Sequence, residues 1–134
     1  MVNGQPWTPK GQRVTANLSI DYDQNFNNGI FNIVAYNFIP SISEQFTIGI
    51  RDNLNFINSP ITLNLSKSSL YGISFSSQTC DYFSSLSDVE SSGSLTLTKL
   101  DRTNRIIAGT FNAKLIKAGC DIINISESRF DMKY

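Results

Sequence analysis

The sequence has no histidine, and only 16% of its 134 residues are charged. Without histidine the chain cannot form the Ser-His or Cys-His pairs that activate a nucleophile, and it lacks the usual zinc ligand sets. Lys plus Arg and Asp plus Glu number 11 each, so the net charge is zero and the basic surface typical of nucleic-acid-binding proteins is missing. Because no glycine-rich phosphate loop is present either, the sequence indicates no cofactor.

Long apolar runs are missing as well. No stretch of about 18 apolar residues could cross a membrane as a helix, and Met1–Trp7 has no signal-peptide core. In place of charge the chain has 18 Ser and 14 Asn, which suit strand faces and turns better than helical surfaces. This composition predicts a single all-β domain over residues 1–134. Either the protein is cytosolic or its chain starts after a removed signal, and we favour the second because the composition resembles that of extracellular β-domains.

Alternating apolar and polar residues predict about eight strands. In Arg13–Tyr22 the even-numbered residues are apolar, whereas Ile30–Ile39 is apolar on both faces, as in a central strand. Shorter alternating runs centre on Ile48, Leu63 and Ile73. Short turns between such strands favour a mostly antiparallel β-sandwich or flattened barrel.

The C-terminal third contains the most distinct hairpin. Leu95–Leu100 and Arg105–Ile116 both alternate, and Asp101–Asn104 between them is typical of a turn. The Ser-rich stretch Ser87–Gly93 predicts an exposed loop, and Asp81–Glu90 is the one stretch where a short helix could be hidden.

The last strand changes the side on which its apolar residues lie. Ile123 and Ile125 stand at odd positions, whereas Phe130 and Met132 stand at even positions. A strand with one buried face cannot change sides without an extra residue. We therefore predict a β-bulge within Ser126–Ser128.

The stretch DYDQNFNNG resembles the start of a calcium-binding loop. Asp21, Asp23 and Asn25 occupy positions 1, 3 and 5 of an EF-hand pattern, which makes them weak metal-ligand candidates. Phe26 stands where that pattern needs glycine, and no glutamate follows at position 12. Asn28-Gly29 lies between two strand-like runs and suits a tight hairpin turn, so we favour a plain turn over a calcium site.

Carboxylates are the remaining candidates for catalysis, because glycoside hydrolysis needs only a pair of them. Asp101, Asp121, Glu127 and Asp131 fall on predicted turns or wet strand faces. Solvated surface charge is the simplest interpretation, so no catalytic residue is assigned.

Aromatic side chains could form a platform for a carbohydrate or another ligand. The residues concerned are Trp7, Tyr22, Tyr36, Tyr71 and Tyr82. Core packing explains most of them, since Tyr22 and Tyr71 share the phase of buried aliphatic residues. Trp7 lies between two prolines ahead of the first long strand. It could contact a ligand, but we favour an anchor that closes one end of the sandwich.

Cys80 and Cys120 are the only cysteines, and their spacing fits no metal site. In an exported protein an even cysteine count suggests a disulfide, whereas two buried thiols would be the alternative. A bond closing a loop of this length would add about 4 kcal/mol in the chain-entropy model. We favour the disulfide, on the condition that the chain is exported.

Four segments resemble a known family of small exported proteins of Bacteroidota. They are Val2–Trp7 (VNGQPW), Gly93–Asp101 (GSLTLTKLD), Ile107–Phe111 (IAGTF) and Ile125–Tyr134 (ISESRFDMKY). Members of that family, many of them lipoproteins, open with an NG-x-x-W phrase and close with a GTFxF … ITxGRFDVxY-like pattern. The resemblance covers the C-terminal third well and the middle of the chain hardly at all.

This resemblance implies an all-β fold, export, and attachment to the envelope by a lipidated cysteine upstream of Met1. No activity is established for the family, and the shared motifs look structural. Where the family has glycine before Arg-Phe-Asp, this chain has Ser128. Either the bulge needs no positive φ at that position, or the requirement shifts to a neighbour.

Three functions remain open at this point. The favoured hypothesis is a non-enzymatic, exported cell-envelope module that binds a glycan or a protein, because catalytic side chains are missing and the resemblance indicates export. The second is a barrel-type carrier of a small ligand, which needs a closed sheet around a cavity. The third is a carboxylate-only hydrolase, which needs two acidic residues roughly 5–10 Å apart in a cleft.

Overall fold

The computed structural model describes residues 1–11, 16–66 and 70–134, and it contains nine β-strands and one short 3-10 helix there. The strands are β1 (Leu18–Asp23), β2 (Ile30–Ile39), β3 (Ile42–Ile50), β4 (Ile61–Asn64), β5 (Tyr71–Ser76), β6 (Asp81–Phe83), β7 (Val89–Asp101), β8 (Ile106–Lys117) and β9 (Ile123–Lys133). The 3-10 helix spans Leu54–Phe56.

The strands form two antiparallel sheets, ordered β1-β2-β3-β5-β6 and β4-β7-β8-β9. Alternate side chains of each sheet point inwards, and those of Phe31, Ile48 and Leu95 have 0% exposed surface. Burying one such side chain contributes about 1.5–3 kcal/mol, so the shared core is the main source of stability. Across the described residues the sheets do not close into a barrel. Of the two predicted architectures, the β-sandwich is therefore the one found.

The predicted hairpin and bulge are confirmed. β7 and β8 pair around a turn in which the Asp101 side chain accepts hydrogen bonds from Asn104 N and Nδ2 at 2.9 and 2.8 Å. In the β8–β9 ladder one residue of β8 faces two of β9, Ser126 and Glu127. Glu127 takes the left-handed conformation with φ 50°. The positive φ therefore lies one residue before Ser128.

Two predictions about the segment before β7 were wrong or incomplete. Ser87–Gly93 is not a loop throughout, because β7 already begins at Val89, whose side chain is fully buried. Pairing with β8 outweighs the local preference of serine for loops, which short-range propensity cannot anticipate. Asp81–Phe83 is a strand, and the short helix lies instead at Leu54–Phe56. The N-terminal part of the predicted strand Arg13–Tyr22, as far as residue 15, lies outside the described residues.

The first eleven residues form a strap that joins the two sheets. Val2 makes an isolated antiparallel bridge to Ile125 of β9, and Lys10 makes a parallel bridge to Asn37 of β2. Between these points the N-terminal strap (Met1–Gly11) crosses one end of the sandwich. This crossing positions Trp7 and the groove described below.

Candidate functional site

The DYDQNFNNG stretch forms the hairpin loop between β1 and β2. Its tight turn centres on Asn27 and Asn28, with φ 46° and 56°, and Gly29 N donates to Phe26 O at 2.9 Å. The predicted turn is confirmed, but its central pair is Asn27-Asn28 rather than Asn28-Gly29. Asparagine tolerates the left-handed region better than most residues, which allows this shift.

The asparagines of this loop are held by the segment before the 3-10 helix and by the helix itself. Asn53 N donates to Asn27 O and Asn55 N to Asn28 O, both at 2.9 Å. Asn55 also accepts a hydrogen bond from Tyr22 Oη at 2.5 Å. These bonds give the asparagine-rich composition a structural explanation.

The metal-ligand candidates Asp21, Asp23 and Asn25 line one open groove together with Arg102 and Arg105. Asp23 Oδ1 accepts the backbone N–H of Asn25 at 2.8 Å, which is a local turn contact. Two guanidinium groups beside the carboxylates oppose a divalent cation electrostatically. Within the described ranges no group of three or more His, Cys, Asp or Glu side chains could hold a metal ion.

Cys80 and Cys120 form a disulfide with a Cα–Cα distance of 6.2 Å. Cys80 directly precedes β6 in the first sheet, and Cys120 lies in the turn between β8 and β9 of the second. The bond therefore ties the two sheets together at the end that the N-terminal strap crosses.

Trp7 packs on the inner side of the first sheet. Its ring centroid lies 4.9 Å from that of Phe46 on β3. Its Nε1 donates a 2.7 Å hydrogen bond to Glu44 Oε2. The indole is half-buried, so part of its surface still faces the groove.

Asn37 and Glu44 are polar residues at core-facing positions. Asn37 follows Phe31, Ile33 and Ala35 along the buried side of β2, and it is itself only 5% exposed. Its Nδ2 donates to Glu44 Oε2 at 3.4 Å, whereas its Oδ1 is buried without a hydrogen-bond partner among the described residues. A buried acceptor without a partner costs about 1–3 kcal/mol, so its presence needs an explanation.

These side chains line a groove of about 450 Å³, here called the Glu44 groove, within the size range of small-ligand sites. Its wall includes Trp7, Asn37, Glu44, Phe75, Tyr82 and Asp121. Two of them are carboxylates, and the described lining residues include no lysine or arginine. The groove is therefore negative in a chain whose net charge is zero.

Tyr82 forms the floor of the groove next to the disulfide. Its side chain is 1% exposed and its hydroxyl donates to Asp121 O at 2.5 Å. Burial, followed by the negative charge of Asp121, raises the pKa of Tyr82 above its usual value. The phenol thus stays neutral and keeps its donor role.

A second, apolar crevice of about 250 Å³ lies on the other side of the strap. Trp7 lines both spaces, and the crevice continues between the sheets past Ile33 and Phe111 to Arg129. Its wall is mainly apolar. The Glu44 groove is the better candidate site because it combines aromatic surface with a buried polar atom that lacks a partner.

Sequence reasoning missed Asn37 and Glu44. The signal was present, since each stands in the phase of the apolar residues on its strand. Asp121, predicted to be solvated, is indeed exposed but also borders the groove. Glu127 and Asp131 are exposed on β9.

The remaining aromatic candidates are distributed over the molecule rather than gathered in one platform. Tyr22 packs edge-on against Tyr134 at a centroid distance of 4.9 Å, and Tyr36 packs against Phe38 at 5.4 Å. Tyr71 is half-buried on β5. Of the five candidates only Trp7 and Tyr82 line the Glu44 groove.

Comparisons with protein-family models, curated proteins and solved structures gave no match. The resemblance to a Bacteroidota family therefore stays a prediction. In the described part of the chain, no helix has the length and apolar character needed to span a membrane.

Proposed function

We propose that this protein is a non-enzymatic binding module exported to the cell envelope, and that it binds a glycan in the Glu44 groove. The observation that carries the proposal is Asn37, a 5% exposed amide that lines the groove and whose buried Oδ1 has no hydrogen-bond partner among the described residues. A ligand donor would satisfy this acceptor and remove the cost of leaving it unpaired.

The mixture of surfaces in the groove suits a sugar better than a purely apolar ligand. A pyranose ring has an apolar C–H face and a rim of hydroxyl groups. The half-buried Trp7 offers apolar surface for the ring, while Glu44 and Asn37 offer acceptors for hydroxyl donors.

Export is supported by the Cys80–Cys120 disulfide, since such bonds persist in oxidising compartments. The Ser- and Asn-rich composition and the family resemblance point in the same direction. Attachment through a lipidated cysteine upstream of Met1 belongs to the same proposal.

Trp7 is the only tryptophan, so its indole provides one fluorescence signal and one indole N–H resonance for a direct test. We would titrate the protein with soluble hexasaccharides of glucose, N-acetylglucosamine and glucosamine. Binding at the groove should shift the Trp7 indole resonance, and Asn37→Leu should weaken this binding. Trp7→Phe, which has no indole signal, should weaken the binding measured by calorimetry. If none of the three hexasaccharides moves that resonance, the proposal is wrong.

A carboxylate-only hydrolase is the second candidate, because Glu44 and Asp121 both line the groove. Its prediction is distinct, since hydrolysis would release shorter sugars from the same hexasaccharides. Chromatography of the reaction mixtures separates the two functions. Turnover that is lost in Glu44→Gln or Asp121→Asn would replace the binding module with an enzyme.

The barrel-type carrier has less support, since the described strands form two open sheets. Binding of a ligand in the apolar crevice would still support the carrier hypothesis. Fatty acid titration monitored at Arg129 and Phe111 by NMR would reveal such binding.

A further inference from the structure

We propose that the ligand presents a primary ammonium group to Glu44 and Asn37, so that the glycan contains an amino sugar with a free amine. This inference rests on the proposed function and specifies its ligand class. Three observations support it. They are the negative charge of the groove, the Asn37 Oδ1 acceptor that lacks a hydrogen-bond partner among the described residues, and the aromatic surface nearby.

The charge distribution favours a cation. Glu44 and Asp121 line the groove, and none of its described lining residues is basic. The ion pair between Lys117 and Asp88, at 3.5 Å, involves neither carboxylate. A ligand amine would therefore meet two carboxylates without competition from a lysine or arginine among the described lining residues. A ligand phosphate or sulfate would be repelled by the same pair.

The hydrogen-bonding groups also favour a donor. An ammonium group has three donors and no acceptor. Asn37 Oδ1 is a buried acceptor without a partner in the described part of the chain, and Glu44 Oε2 already accepts from Trp7 Nε1 at 2.7 Å. The indole N–H thus fixes the carboxylate, which leaves the Glu44 charge and the Asn37 oxygen oriented before the ligand arrives. Such preorganisation lowers the entropy lost on binding.

Aromatic surface adds a third favourable contribution. Trp7 lines the groove and keeps part of its indole surface exposed there. A cation over an aromatic face gains free energy from the negative face of the ring, and tryptophan is the best such partner. A neutral N-acetyl group would lose both this contribution and the attraction of the carboxylates.

A glycan fits this site better than a protein surface. The groove holds about 450 Å³ beneath the N-terminal strap, which suits one or two sugar rings. A stable protein partner would bury an area on the order of 1,200 Å² or more, whereas Glu44, Asn37 and Trp7 are confined to one groove. An amine from a lysine side chain is therefore treated as an outcome of the test.

The test is isothermal titration calorimetry at about pH 6, where the sugar amine is protonated. The probes are a glucosamine hexasaccharide, an N-acetylglucosamine hexasaccharide of equal length, and lysine methylamide. We expect the glucosamine hexasaccharide to bind at least about tenfold more tightly than the other two, as a charge-assisted hydrogen bond would give. Its affinity should fall at high salt, where screening is stronger.

Glu44→Gln is the decisive variant, because glutamine keeps an acceptor for Trp7 but removes the charge. It should reduce the preference for the amine about tenfold. Glu90→Gln is the matched control, since Glu90 is exposed on β7 and lies outside the groove. If Glu44→Gln does not fold, Asn37→Leu and the salt dependence of wild-type binding take its place.

The outcomes separate the inference from the proposed function. Equal affinity for both hexasaccharides would overturn the ammonium inference while leaving a glycan-binding module in place. Lysine methylamide binding as tightly as the amino sugar would overturn the assignment to a glycan. Failure of all glycan probes to bind would remove the inference and the proposed function together.

Discussion

Asn37 and Glu44 lie directly opposite each other on β2 and β3, and Asn37 Nδ2 donates to Glu44 Oε2 at 3.4 Å on the core-facing side of the sheet. Residues on this side are otherwise apolar, from Phe31 to Ala35 on β2 and from Phe46 to Ile50 on β3. At the end of the sandwich where the Glu44 groove opens, this polar pair therefore occupies positions where apolar side chains would otherwise be buried. Such an arrangement is expected where binding has been selected at the expense of stability.

Replacing Asn37 by leucine should test directly whether this residue lowers the stability of the fold. Asn37→Leu removes the buried Oδ1 without changing the side-chain volume much, so the free energy of unfolding should rise by about 1 kcal/mol. Urea denaturation measures the change. Asn112→Leu is the control, because Asn112 is exposed on β8 and donates to Ser94 Oγ at 2.9 Å. A loss of more than about 1 kcal/mol in Asn37→Leu would mean that the amide is structural.

Removing the disulfide should destabilise the fold strongly. In the double variant Cys80→Ala, Cys120→Ala the unfolded chain is no longer closed across 40 residues. The chain-entropy model then predicts a loss of about 4 kcal/mol. Urea denaturation of the wild type with and without dithiothreitol gives an independent value. Equal stability of the oxidised and reduced proteins would contradict the prediction.

Gly29 should tolerate alanine poorly. It has φ 99°, and an added Cβ would lie 2.5 Å from Asn55 Oδ1 and 2.8 Å from Asn55 N. Backbone strain and the clash together should reduce the free energy of unfolding by roughly 2–4 kcal/mol. Gly119→Ala is the control, because φ there is 78° but no atom of the described residues lies within 4 Å of the new Cβ. That variant should lose only about 1 kcal/mol.

Because of the bulge in β9, glycine substitutions at the adjacent residues Glu127 and Ser128 should have opposite effects on stability. Glu127 has φ 50° in the left-handed region, whereas Ser128 has no positive φ. Glu127→Gly should therefore stabilise the protein by up to about 1 kcal/mol, while Ser128→Gly should destabilise it by a similar amount. Thermal unfolding of the two variants compares them. If Ser128→Gly is the more stable variant, the bulge lies where the family resemblance places its glycine.

Stability should decrease at alkaline pH because of the buried Tyr82 and the partly buried Tyr134. The pKa of Tyr82 is raised above 10.0, first by burial and then by the charge of Asp121. Its unfolded state therefore loses a proton at lower pH than its folded state, so the free energy of unfolding falls as pH rises above about 10. Burial also raises the pKa of Tyr134, which adds to the effect.

Tyr82→Phe tests this account. At neutral pH the variant loses the hydrogen bond to Asp121 O and about 1 kcal/mol of stability. Above about pH 10 its stability should decline less steeply than that of the wild type, with the part due to Tyr134 remaining. Denaturation across pH 7–11 gives both slopes. Parallel curves for the two proteins would contradict the assignment to Tyr82.

The sequence alone determined the fold class, most of the strands and the bulge, because all three follow from local alternation. β2 spans Ile30–Ile39 as predicted. The bulge within Ser126–Ser128 follows from the change of side between Ile125 and Phe130, since a half-buried strand must keep one face inwards. These features depend on neighbours along the chain, so they can be predicted from the sequence.

Only the tertiary structure decided the site. Trp7, Glu44 and Asp121 are far apart in sequence and meet because the N-terminal strap crosses between sheets that the disulfide ties together. The start of β7 at Val89 was likewise decided by pairing with β8 rather than by its serines. The local pattern does not specify which strands pair over long range. The position of Asn37 and Glu44 on the apolar side of their strands could therefore be related to a groove only in the folded sandwich.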